Sequence, residues 1–138
     1  MCGNCCSGPS GFVLLNDDET KGLADHLGLT EEEFIGRYTH MLPIGRSLIE
    51  KPAPEGANAS RGGGGYDCVF LDRTTIPGKA VCGVYNHRPR QCRTWPFWNS
   101  TLHSPGAWHR ASRTCPGIDK GPLHSLVQIR ISRGVVDI

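Results

Sequence analysis

The chain has no long apolar segment. Its longest unbroken apolar run is Phe12-Val13-Leu14-Leu15, far short of the roughly 18 to 20 residues needed to span a bilayer. The amino terminus, Met1-Cys2-Gly3-Asn4-Cys5-Cys6, has neither the basic stretch nor the apolar stretch of a secretory signal. A cytoplasmic location is therefore expected, with cysteines kept as thiols or metal thiolates rather than disulfides. Aromatic residues are scarce at 7%, and hydrophobic residues of all kinds reach only 38%. Heptads, a collagen period and internal repeats are all missing. The glycine run at Arg61-Gly62-Gly63-Gly64-Gly65 has no lysine and Ser/Thr after it and no strand before it, which sets aside a phosphate-cradling loop.

What the chain does have is glycine, proline and cysteine. Eighteen glycines and ten prolines in 138 residues favour short elements joined by many loops, around a modest core. The length suits one domain over residues 1–138. Seven cysteines are too few for a laced secreted toxin, and an odd number disfavours a complete set of internal disulfides.

Charge is uneven along the chain. Up to Tyr85 there are seven Lys/Arg against eleven Asp/Glu, and from Asn86 onward eight against two. A basic second half suits an anion, a nucleic acid or a negatively charged metal–thiolate centre, or simply pairs with the acidic half.

Local signals give the organisation. Ser7 to Gly11 reads as a turn and Phe12 to Leu15 as a short strand. Asn16 or Asp17 caps a helix running to about His26, with Gly28 closing it. Thr30-Glu31-Glu32-Glu33 is a capping box. It opens a second helix carrying Phe34, Ile35, Tyr38, Met41 and Leu42 and stopping before Pro43. Pro52 to Gly65 reads as a mobile loop. Cys68 to Leu71 and Ala80 to Tyr85 form a β-hairpin turning at Pro77-Gly78. Leu126 to Ile131 alternates apolar and polar residues and is expected to be a last strand. The fold class is α+β: two N-terminal helices, a short β-hairpin and long loops, stapled by a cysteine-bound metal.

The cysteines are grouped. Cys2, Cys5 and Cys6 share the amino-terminal tip, Cys68 and Cys82 open the arms of the hairpin, Cys92 follows, and Cys115 begins Cys115-Pro116-Gly117. In a Cys-x-x-Cys unit a two-residue spacer turns both sulfurs toward one metal, and Gly3 supplies the backbone freedom such a knuckle needs. Two further sulfurs complete a tetrahedral site or the corners of an iron–sulfur cluster. Cys5 and Cys6 are adjacent, and adjacent residues in an extended chain point to opposite sides. Without a strained turn they are not expected to share one ion. The rival reading for any single cysteine, Cys68 and Cys115 above all, is a small buried hydrophobe.

The order of these blocks, Cys2-Gly3-Asn4-Cys5-Cys6, then Cys68-Val69-Phe70-Leu71, then the run from Cys82-Gly83-Val84-Tyr85 through Arg88-Pro89-Arg90-Gln91-Cys92-Arg93 to Trp95-Pro96-Phe97, closely resembles the YkgJ-like cysteine-cluster family, named for a CxxCxxCC signature. Cys115-Pro116-Gly117-Ile118 is similar to its late Cys-Pro-Gly. The resemblance covers about residues 2–121 and implies a zinc- or iron-chelating domain, with Cys2, Cys5, Cys6, Cys68, Cys82, Cys92 and Cys115 as metal ligands in some subset. The signature's first cysteine would fall three residues before Cys2, ahead of Met1; with it, two four-sulfur sites become arithmetically available. Related domains occur in flagellin lysine N-methylase, but no glycine-rich loop for a methyl donor is seen here.

Pro89 stiffens the approach to Cys92, and Arg88 and Arg93 flank the proposed ligands as donors to thiolate or sulfide. The alternative is that they pair with Asp67, Asp72 or a helix glutamate. Trp95, Phe97 and Trp98 read as core and shield rather than a stacking platform for bases. His87, His103 and His109 read as surface residues, since no Cys-x-x-Cys precedes them at finger spacing.

Three functions follow from these residues. The first is a metal-binding module for zinc or iron, including an iron–sulfur cluster, whose metal binding supplies folding free energy. The second is an iron–sulfur redox or modifying enzyme, although no acid/base constellation names a catalytic residue. The third is a zinc-dependent nucleic-acid module, disfavoured by a pI of only about 8.2. The expected partner is a metal ion; a membrane is not expected, and a protein partner is left open.

Overall fold

The structure, a computed structural model, describes residues 2–57 and 65–135. Asn16 starts the first helix, α1 (Asp17–Leu27). Its side-chain oxygen accepts from the Glu19 amide at 2.8 Å, while Glu19 accepts from the Asn16 amide at 3.0 Å. Gly28 ends it in the left-handed region at φ 67°. Thr30 and Glu33 repeat the reciprocal cap for α2 (Glu31–Tyr38). Both helices therefore begin where two orphan amides find local acceptors.

The second helix is shorter than expected. Met41 and Leu42 belong to a strand, β2 (Thr39–Leu42), which pairs antiparallel with β3 (Gly45–Leu48) across Pro43 and Ile44. Thr39 turns its hydroxyl onto the Ile35 carbonyl at 2.8 Å, and the chain leaves the helix there. Val13 to Leu15 lies along β3: Leu14 bridges Ser47, the Leu48 amide donates to Val13 and the Leu15 amide to Arg46. That is the extended segment expected at Phe12 to Leu15, recruited as a partner for β3.

A second sheet, of three strands, has the order β1 (Ser7–Gly8), β5 (Tyr66–Cys68), β4 (Glu50–Pro52), all antiparallel. At its centre Asp67 is fully buried. The Arg73 guanidinium donates to both its oxygens, at 2.7 and 2.8 Å. The pairing considered for Arg88 or Arg93 is thus taken by a different arginine. Asp72 instead accepts from the Thr74 and Thr75 amides and the Thr74 hydroxyl.

The expected hairpin exists, but it is narrower than expected: β6 (Leu71–Asp72) pairs with β7 (Val81–Cys82). Cys68 sits in β5, opposite Glu50, rather than in the hairpin arm. The buried core consists of Leu15, Leu23, Ala24, Phe34, Leu48 and Val84, with Tyr38, Phe70, Cys68 and Cys82 packed against it. Of the mobile loop expected from Pro52 to Gly65, Pro52 belongs to β4 and residues 58–64 lie outside the described residues.

The chain divides into two compact units, Met1–Pro89 and Arg90–Ile138. The second is helical: α3 (Arg90–Thr94), α4 (Asn99–Leu102), α5 (Pro105–Thr114) and α6 (Leu126–Val135). Ser104 caps α5 by accepting from the Ala107 amide, with Pro105 in the first turn. Trp98 donates its indole N–H to the Gln91 carbonyl at 3.1 Å, and Phe97 stacks on Trp108. Trp95, Phe97 and Trp98 are all half-buried.

The strand expected at Leu126 to Ile131 is a helix. Ser125 and Gln128 form a reciprocal cap, Gln128 amide to Ser125 hydroxyl at 3.2 Å and Ser125 amide to Gln128 side chain at 2.9 Å. That Ser-x-x-Gln signal outweighs the alternation of side chains over six residues. The α+β class read from the sequence is the class found.

Candidate metal centre

The site begins at Gly3. Its φ of 67° opens a 3-10 turn over Asn4–Cys6, closed by the Cys6 amide donating to the Gly3 carbonyl at 2.9 Å. A Cβ at Gly3 would stand 2.5 Å from the Ala80 Cβ and 3.1 Å from Leu71 Cδ1. Only glycine lets the cysteine tip press so closely onto the β6–β7 hairpin. The tip is held again from the other side, where β1 pairs with β5, the strand carrying Cys68. Glu50, opposite Cys68, accepts from the Ser10 hydroxyl and the Gly11 amide.

Two anchors therefore bring three sequence-distant segments together. Cys5 and Cys6 place their sulfurs 3.7 Å apart. Charge on Cys5 makes the smallest of the contributions that act on Cys68 and Cys82, raising both. Burial pushes the Cys68 thiol up to about 11, with charge on Cys82 and Cys5 adding to the rise. The Phe70 amide and the Lys51 ammonium act in the opposite direction. Cys82 is raised by burial, against a hydrogen bond from Val84 and the positive charge of Arg88.

Two cations thus favour thiolate here, one of them unforeseen. Lys51 in β4 anchors its ammonium on the Leu71 and Val69 carbonyls at 2.8 and 3.3 Å. Nothing in the sequence near Lys51 marks it; only the β4–β5 register places it beside Cys68. Arg88 donates to the Tyr85 carbonyl and lies 3.8 Å from the centre of the Tyr85 ring.

Cys2 is exposed on the tip. Cys92 lies on α3 and Cys115 caps α5, both in the second unit, together with exposed Arg93. His87, His103 and His109 are exposed, and His87 stacks on His26 with ring centres 3.9 Å apart. No disulfide joins any two of the cysteines.

Among the described residues, no three His, Cys, Asp or Glu side chains already stand in a metal-holding arrangement. The donor chemistry nevertheless fits zinc or iron. The groups that Cys5, Cys6, Cys68 and Cys82 offer on these segments are all sulfur, the soft ligand these metals take in tetrahedral and cluster sites. A bound metal would add positive charge beside a buried thiol such as Cys68 and favour its ionised form. Among the described residues no helix is long and apolar enough to cross a membrane.

A family model described as "CxxCxxCC: Putative zinc- or iron-chelating domain" matches residues 1–116, and the chain belongs to that family. No solved structure matches the chain.

Proposed function

We propose that this member of the zinc- or iron-chelating family holds its metal in the first compact unit, on Cys5, Cys6, Cys68 and Cys82. The observation that carries the reading is the seating of the cysteine tip on two other segments: Gly3 lies against Ala80 and Leu71 of the hairpin, and β1 pairs with β5, the strand of Cys68. It joins a tip, a central strand and a hairpin that are far apart in sequence. Four thiolates around a divalent ion leave a net negative centre, and Lys51 and Arg88 provide positive charge where it is needed. When bound, the metal supplies the charge that lets buried sulfurs ionise. The chain's own residues position those sulfurs: Gly3 by its close approach, Glu50 by tying down Ser10 and Gly11, Asp67–Arg73 by closing the sheet. Cys2, Cys92 and Cys115 remain as further ligands or spectators.

In this reading the protein is a metal-binding module of the cytoplasm. Metal analysis of protein purified without oxygen tests it. Zinc or iron in a fixed ratio to protein, with loss of tertiary structure on chelation, supports the reading. Protein that is fully folded and takes up neither metal contradicts it.

A further inference from the structure

The helix α6 leaves most of its apolar side chains in solvent. It packs against α3, yet only Ile129 and Ser132 on it are half-buried. Leu126, Val127 and Ile131 are 71, 65 and 64% exposed, and Leu123, just ahead of the helix, is fully exposed. Val127, Ile131 and Val135 recur every four residues and so share one face. A surface helix ordinarily turns such a row toward the core. The helix also lies beyond residue 116, where the family match ends, so the metal reading gives this row no task.

The row has cations set into it. Arg130 stands one turn from both Leu126 and Val127, and Arg133 one turn further along the Leu126 side. Both are exposed, and among the described residues no carboxylate pairs with either. The surroundings carry the same sign. From Arg90 to Val135 there are seven Lys/Arg, all exposed, against one acidic residue. That residue, Asp119, already accepts from the Trp108 indole N–H at 3.1 Å.

Three occupants fail on this chemistry. A second copy, pairing α6 with α6 about a twofold axis, would bring Arg130 and Arg133 against their own counterparts, like charge against like. A bilayer interface asks for anchors such as Trp or Phe on the apolar face, and α6 offers only Leu, Val and Ile. Nucleic acid would use the arginines but leave the aliphatic row in water. An acidic amphipathic helix satisfies both parts, with aliphatic side chains over Val127 and Ile131 and carboxylates on Arg130 and Arg133.

We infer that α6 is a docking face for an acidic amphipathic helix of another protein. From Val127 to Val135 the row is about 12 Å long and about 10 Å wide. That is well short of the roughly 800 Å² per partner of a stable stand-alone interface. The contact is therefore transient, and charge speeds its formation.

Fluorescence anisotropy with the full chain and two synthetic helical peptides tests this. One peptide repeats Leu at three- and four-residue spacing with Glu beside it, and the other has Lys in place of Glu. The Glu peptide should bind, more weakly as salt rises, and the Lys peptide should not. Arg130→Glu with Arg133→Glu should weaken the Glu peptide at least about tenfold and admit the Lys peptide. Unfolding cannot produce that gain. Ile131→Asp should remove binding of the Glu peptide. All three changes are at exposed positions, and far-UV circular dichroism checks that helix content is kept.

Unchanged binding in Ile131→Asp would overturn the inference, because the peptide would then be reading charge alone. Equal binding of both peptides, or of neither, would overturn it too. So would stronger Ile131-dependent binding to phosphatidylglycerol vesicles or to duplex DNA, or an Ile131-dependent dimer in sedimentation. Each of those results gives the row a different occupant.

Discussion

Gly3 lies against Ala80 so closely that the chain has no room for a side chain there: an added Cβ would sit 2.5 Å from the Ala80 Cβ. This contact seats the cysteine tip on the hairpin that carries Cys82. Gly3→Ala is expected to clash and to carry the cost of a left-handed non-glycine residue, about 1 to 3 kcal/mol. Metal affinity, measured by competition with a chromophoric chelator, should fall about tenfold or more. Ala80→Gly, by relieving the clash in the double variant, should restore part of it. A Gly3→Ala protein with wild-type affinity would mean that the tip does not need this seat.

Asp67 is buried and its charge is met by Arg73. Arg73→Met leaves that carboxylate without its main partner, at an expected cost of about 3 kcal/mol. Urea unfolding of the metal-free protein reads this directly. Asp67→Asn combined with Arg73→Met should be less damaging than Arg73→Met alone, because the uncompensated charge is gone.

Metal-free protein should weaken in base. The Cys68 thiol, raised by burial to about 11, ionises first in the unfolded chain, whose thiols titrate near about 8.5. The stabilising contribution is whole below that value and is lost as pH climbs toward 11. The melting temperature of metal-free protein should fall across this window, and less so for Cys68→Ala. Metal loading near neutral pH should release protons, seen with an indicator dye in weak buffer.

Asp72 behaves in the opposite sense. Hydrogen bonds from the Thr75 and Thr74 side chains and amides hold its carboxyl well below the ordinary carboxylate range. Its contribution is present above about pH 3.9 and is lost only as pH falls through the lowered value. Carbon-detected NMR titration should place the Asp72 midpoint below the ordinary carboxylate value of about 3.9. Replacing Thr74 and Thr75 with valine should move it upward.

Ser125 and Gln128 cap α6. Ser125→Ala should cost about 1 kcal/mol of helix stability and speed amide exchange in Val127 and Gln128. Slow exchange in a strand-like pattern over Leu126 to Ile131 would contradict the helix.

Where an element is decided by groups within four residues of each other, the sequence already shows it. Asn16 with Glu19 and Thr30 with Glu33 announce α1 and α2, and Gly28 announces an end. Ser125 with Gln128 carries the same message for α6, but the apolar alternation that follows reads as a strand. Met41 and Leu42 continue a helical spacing, yet they pair with Gly45 and Arg46 because Pro43 and Ile44 turn the chain back.

The sites divide in the same way. Seven cysteines, their grouping and the block from Cys82 to Phe97 are visible in the amino-acid order, and they suffice for the family and for soft-metal chemistry. The placement of the segments that carry Cys5, Cys6, Cys68 and Cys82 is not. It depends on Ser7 and Lys51 meeting Asp67 across β5 and on Gly3 fitting against Ala80. Strands of two or three residues carry too few side chains to show a period, so their partners, and the cations Lys51 and Arg73, are chosen only by tertiary packing. Caps and thiols are local chemistry, written in the chain itself. Which thiols become neighbours is a matter of backbone hydrogen bonds between distant segments, and the folded chain alone decides it.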